Sequence, residues 1–248
     1  MTANASPEGG SPAPSSLAPR QPAPRPPDAG TRPWVIKIGG SLSDWHRLGT
    51  WLDLIARPGH LHPLVIVPGG GPFADAVRDA QDNWRFDDRL AHRMALLAME
   101  QFGLMLHGIC PALQTAATRE RLRSLIRARM PAVWLPSAMA LDQPEIAESW
   151  DVTSDSLAAW LAVELDATAL VLVKSGPCPC AATDAASLAR DGLVDAAFPH
   201  WRGRFSGESW CIHRDNHALM EEALAGRASP GCPLLRSPEV EPLPRVRA

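Results

Sequence analysis

The sequence predicts an α/β protein, a three-layer αβα sandwich built on a mostly parallel central sheet. Three observations carry this expectation. Short apolar runs recur at 34–38, broken there only by Lys37, and at 64–67, 132–135 and 169–173, with a weaker one at 210–212. Runs of that length without polar alternation suit strands covered on both faces. Helical patterns lie between them, and strands alternating with helices stack into layers. Glycine and proline then stop the strands, at Gly39-Gly40, at Pro68 through Pro72, at Pro136 and at Gly176-Pro177.

Taken in order, the first 33 residues hold nine of the 25 prolines and almost no large apolar side chain. Such a stretch cannot bury enough surface to offset its ordering entropy. A disordered leader is expected over 1–32, one domain over 33–236 and a flexible tail over 237–248. Helices are expected over 72–82, 87–107, 118–129, 154–165 and 215–226, the last closing on a glycine. In the long second helix Leu90, Met94, Leu97, Ala98, Gln101 and Leu104 recur at helical spacing. They read as a core face, with an oligomer face as the alternative.

Composition narrows the function. The 248 residues carry a formal charge of -3, which gives no electrostatic case for nucleic acid or an anionic membrane. Cys110, Cys178, Cys180, Cys211 and Cys232 are odd in number and irregularly spaced. That argues against a secreted disulfide scaffold and for the cytoplasm. The longest strongly apolar stretch, 167–173, falls far short of the roughly 20 residues a membrane helix needs. Cys178, Cys180, Cys211, His213 and His217 could be combined into a zinc set, but the CxC spacing is too short for common structural sites, so no metal ligand is assigned.

Four segments carry candidate chemistry. Lys37, Gly39, Gly40 and Ser41 end the first strand. A strand followed by two glycines is either a tight turn or a backbone cradle for anionic oxygens, and Lys37 adds a positive charge there. Gly69, Gly70 and Gly71 link the second strand to a helix, whose N-terminus favours phosphate or carboxylate. Asp151, Thr153, Ser154 and Asp155 crowd one helix start. Thr153 or Ser154 serves as N-cap, and a carboxylate there could orient Lys37 or hold a nucleotide's Mg²⁺. Lys174 and Ser175 leave the apolar strand at the same sheet edge, where Lys174 either reaches solvent or meets a phosphate.

The ordered set KIGGS, VPGGGPFAD, DVTSDSLAAWLA and LVLVKSG resembles the amino acid kinase family over about residues 33–236. The resemblance implies phosphoryl transfer from ATP with Mg²⁺ to a small-molecule acceptor, in a homo-oligomer. It implies that Lys37 contacts the moving phosphoryl group and Asp155 organises the positive charges. Gly39, Gly40, Ser41, Lys174 and Ser175 would face nucleotide phosphates. Gly69, Gly70, Gly71, Asp151, Thr153 and Ser154 would face the acceptor. The family's late lysine is missing from Gly192–Phe198, and either Lys174, Arg202 or Arg204 would take its place or the metal would do more.

The segment SWDVTSDSLAAWLA is most similar to kinases that convert [5-(aminomethyl)furan-3-yl]methyl phosphate to its diphosphate in methanofuran-type cofactor synthesis. Asp151 or Asp195 would then meet the acceptor's amine and Arg93 its phosphate. Alternatives are a uridylate, isopentenyl phosphate or carboxylate acceptor, or a nucleotide- or oxyanion-binding protein without turnover.

Overall fold

The computed structural model describes residues 32–40, 45–179 and 181–237. Its first half runs β1 (Trp34–Ile38), α1 (Trp45–Ala56), β2 (Leu64–Pro68), α2 (Gly71–Trp84), α3 (Asp88–Ile109), β3 (Gln114–Ala116), α4 (Arg119–Arg127) and β4 (Ala132–Trp134). The second runs α5 (Ser137–Ala140), α6 (Ser154–Glu164), β5 (Ala169–Lys174), β6 (Thr183–Asp184), α7 (Ala185–Arg190), α8 (Phe198–Arg204), β7 (Glu208–His213), α9 (His217–Leu224) and β8 (Cys232–Leu235).

The eight strands form one sheet in the order β3-β4-β2-β1-β5-β7-β8-β6. All pairings are parallel except β7 with β8. β1 lies inside, with Lys37 in register with Val67 of β2 and Leu172 of β5. Alternation along the strands then divides the core. Ile36 and Ile38 pack with Leu48, Trp51, Leu52 and Ile55 of α1 and Met220 of α9. Val35, Val67, Leu170 and Leu172 pack with Leu157, Ala158 and Leu161 of α6 on the other face. Lys37 shares the parity of Val35 and so belongs to the α6 side. Buried side chains of this size each contribute roughly 1.5–3 kcal/mol.

Helix α6 is covered almost all round, with every residue from Asp155 to Ala162 buried. A helix without a polar face belongs inside, and this one carries a carboxylate in with it.

Three readings need correction. Leu90, Leu97 and Leu104 do not face the core but are 47 %, 50 % and 52 % exposed. The buried face of α3 uses Ala91, Leu96, Met99, Phe102 and Leu106 instead. The helix has two apolar stripes, and periodicity alone does not say which one meets the sheet. Helix α1 is absent from the expected elements although Leu48, Trp51, Leu52 and Ile55 carry the spacing. The others that go unread, β3, β6, α5, α7 and α8, are short, two to seven residues each, too short for a period to show. The expectations for 1–31, Ser41, Cys180 and 238–248 lie outside the described residues. Among the described residues, no helix is long and apolar enough to cross a membrane.

Candidate active site

The site begins where β1 and β2 end side by side, Ile38 opposite Pro68. The amide of Gly69 donates to the Ile38 carbonyl at 2.7 Å. The two glycine turns then touch backbone to backbone. A Cβ on Gly40 would lie 1.9 Å from the Gly71 Cα, and one on Gly69 would lie 2.7 Å from the Gly40 nitrogen. Gly71 has φ +55°, in the left-handed region, and opens α2 with no side-chain cap on its first turn. Unpaired amides at such a start favour an anion.

Beside these turns lies a buried charge centre. Asp155 Oδ1 is 3.0 Å from Lys37 Nζ, and Asp155 Oδ2 accepts a hydrogen bond from Lys174 Nζ at 2.5 Å. Both carboxylate oxygens of Asp155 are therefore engaged by lysine. Burial alone would raise the Asp155 carboxyl, but the Lys37 and Lys174 ammonium groups outweigh it and hold it at about 2. Burial pushes Lys37 below the ordinary lysine value despite the neighbouring carboxylate. One carboxylate is thus shared between two lysine side chains.

A second carboxylate aims Asp155. Thr153 is the N-cap of α6 by position but makes no side-chain cap bond. Asp195 does that work instead, accepting from Thr153 N at 2.9 Å, Thr153 Oγ1 at 2.7 Å and Ser156 N at 3.0 Å, and from the Ser156 hydroxyl. Burial and the Asp155 charge raise the Asp195 carboxyl, and these bonds oppose the rise. Asp195 is thus engaged in starting the helix.

A cavity of about 370 Å³ opens from the turns, bordered by Lys37, Gly40, Gly69, Gly70, Gly71, Thr153 and Ser154. Its far wall holds Asp75, Arg78, His92 and Trp150, which the sequence reading does not single out. Asp75 and Arg78 stand four and seven residues after Gly71, so the helical face that continues the glycine turn was the available signal. His92 Nδ1 lies 3.3 Å from the Ser149 carbonyl, and burial lowers its pKa.

The remaining candidates fall elsewhere. Gly39 packs against Gly69 behind the cavity wall. Asp151 is exposed, bonds Ser149 and does not border the cavity. Ser175 follows β5, its carbonyl 3.3 Å from His213 Nε2. Arg93 pairs with Asp142 and Glu148 and does not border the cavity. Arg202 donates to the Leu234 and Phe205 carbonyls, and Arg204 pairs with Glu145. Neither arginine replaces the late lysine; Lys174 alone of the three reaches the centre.

A family model described as the amino acid kinase family matches residues 32–177. A [5-(aminomethyl)furan-3-yl]methyl phosphate kinase of Methanocaldococcus jannaschii is 31 % identical over 139 residues, 56 % of this chain. The match spans 63 % of that relative's length. The uridylate kinase structure from Archaeoglobus fulgidus has TM-score 0.60 and 15 % identity, covering 82 % of this chain and 100 % of its own. The UMP kinase structure from Bacillus anthracis has TM-score 0.62 and 17 % identity, covering 82 % and 95 %. These likenesses show the fold. With a sequence match across more than half its length, and with that sheet and those paired glycine turns, the chain belongs to the amino acid kinase family.

Proposed function

We propose that the protein is an ATP-dependent kinase that converts a phosphate monoester, [5-(aminomethyl)furan-3-yl]methyl phosphate, to its diphosphate. The observation that carries this reading is the buried Lys37–Asp155–Lys174 centre at the junction of two glycine turns. Similarity to the Methanocaldococcus jannaschii kinase supports the choice of acceptor.

An acceptor phosphate oxygen attacks the γ-phosphorus of ATP, the bond to the β–γ bridging oxygen breaks, and ADP leaves. Charge spreads over the three equatorial oxygens of the moving group, so catalysis is positioning plus fixed positive charge. Lys37 supplies that charge with Lys174, and Asp155 holds both ammonium groups in place. Gly40 offers its amide to the donor phosphates, and Gly70 and Gly71 offer theirs to the acceptor. A second cavity, of about 490 Å³, lies beyond Lys174 and is bordered by Cys178, Ala182, Cys211 and His213. It has room for the nucleoside. Mg²⁺ would enter on the nucleotide and neutralise phosphate charge. Among the described residues no group of three His, Cys, Asp or Glu could hold a metal.

The test is ADP release with Mg-ATP across aminomethylfuran phosphate, UMP, isopentenyl phosphate, acetylglutamate and aspartate. Release with the furan phosphate alone is expected. Release with another acceptor overturns the substrate, and nucleotide binding without acceptor-dependent release overturns the enzyme.

The same reading includes a homo-oligomer in the cytoplasm. Exposed Leu90, Leu97 and Leu104 recur every seven residues along α3, a seam that suits a second helix. Sedimentation equilibrium should find more than one copy per particle, and Leu97→Glu should yield monomers. A wild-type monomer sinks the seam as an interface.

A further inference from the structure

We propose that Arg78 binds the acceptor's phosphate, and that Asp75 and Trp150 position it for that task. The proposal rests on the cavity being the acceptor site. A phosphate monoester carries a charge of about -1.5 to -2 at neutral pH, and here it must approach the donor's phosphates. Lys37 and Lys174 already face Asp155. Among the residues bordering the cavity, the basic ones are Lys37, Arg78 and His92, and burial pushes His92 toward the neutral form. An acceptor phosphate therefore has Arg78 as its own cation.

The way Arg78 is held supports this task. Its guanidinium lies 4.5 Å from the centroid of the Trp150 ring, and Nη1 lies 2.9 Å from Asp75 Oδ1. The indole N–H of Trp150 in turn donates to Gln81 Oε1 at 2.7 Å, which fixes the plane the guanidinium rests on. Stacking restrains a guanidinium by its face and leaves its N–H groups in the plane, where a phosphate is recognised by two parallel bonds. Asp75 takes Nη1 and leaves the other donors of the fork for the ligand. The Asp75 pair is half exposed, spans three residues of one helix and is weak. Phosphate can compete with it without dismantling the fold. Lysine would bring the charge but neither the fork nor the stack.

The experiment measures steady-state kinetics with Mg-ATP and a phosphate monoester acceptor, beside melting curves. Arg78→Ala should raise the acceptor KM by about 10- to 100-fold, the range for a lost charge-assisted hydrogen bond, and leave the ATP KM within about 2-fold. Arg78→Lys should recover only part of the loss. Trp150→Phe should stay near wild type because it keeps an aromatic face, whereas Trp150→Leu should move toward Arg78→Ala. Silent Arg78 variants, or equal rises in both Michaelis constants, overturn the proposal while wild-type turnover of a phosphate acceptor keeps the kinase reading. Full rescue by lysine with a silent Trp150→Leu overturns the positioning by Trp150 and Asp75. Wild-type transfer to carboxylates alone, or none at all, overturns this inference and the substrate reading together.

Discussion

Asp155→Asn should reduce kcat by at least about 10³-fold, and Lys37→Ala by a similar factor. A single fixed donor to a developing oxyanion is commonly worth about 10²- to 10³-fold, and each change here disturbs more than one. Asparagine removes the charge that holds two buried ammonium groups, so Lys37 and Lys174 repel each other and lose their aim. Breaking a buried ion pair by removing one partner costs about 3–5 kcal/mol, so melting must be followed beside ADP release. Acid adds a second readout. The Asp155 carboxyl is held at about 2, below the roughly 3.9 of an ordinary aspartate. Its contribution to stability is complete above that ordinary value and disappears as pH falls through about 2. Asp155→Asn should lack this dependence. On the alkaline side, Lys37 is pushed down by burial, so wild-type kcat/KM should decline before the ordinary lysine range. A folded Asp155→Asn protein with kcat within 10-fold of wild type would remove Asp155 from the mechanism.

Gly40→Ala should be nearly as damaging, for a steric reason. Its Cβ would lie 1.9 Å from the Gly71 Cα and 2.1 Å from the Gly71 nitrogen. Both are backbone atoms of a turn on a buried strand, so no side chain can swing aside. The turns must separate, at a cost of about 3 kcal/mol, the upper part of the range for overpacking, and the amide cluster opens with them. Gly49→Ala in α1 is the control. Its Cβ would meet nothing within 4 Å, and alanine within a helix is favoured by about 1 kcal/mol. Chemical denaturation should show loss for the first and no loss for the second. Equal stability of both variants would mean the turns do not touch as described.

The two outcomes draw on different kinds of legibility. Strands β1, β2 and β5 were readable because burial on both faces leaves a mainly apolar signature. Lys37 and Lys174 were readable as residues at one sheet edge, and Asp155 as one of the groups crowding a helix start. That a single carboxylate would hold both lysines was not, since it depends on how deeply α6 is buried. Arg78 and Trp150 escaped because each looks like an ordinary surface residue until α2 and the segment before α6 are brought together. The part Asp195 plays in starting α6 was hidden because its partners, Thr153 and Ser156, lie about 40 residues back along the chain. Local sequence names the charged groups and says little about which of them are already occupied.

The engagement of Asp195 also bears on how this protein can be divided. The stretch that matches the family model stops at residue 177. It contains both glycine turns, Lys37, Asp155 and Lys174. It does not contain the carboxylate that starts α6, nor β7, which flanks β5 along its whole length. A fragment cut there would keep the inventory of reacting groups and lose what orients them. The smallest working unit therefore reaches at least to His213, well past where the family match stops.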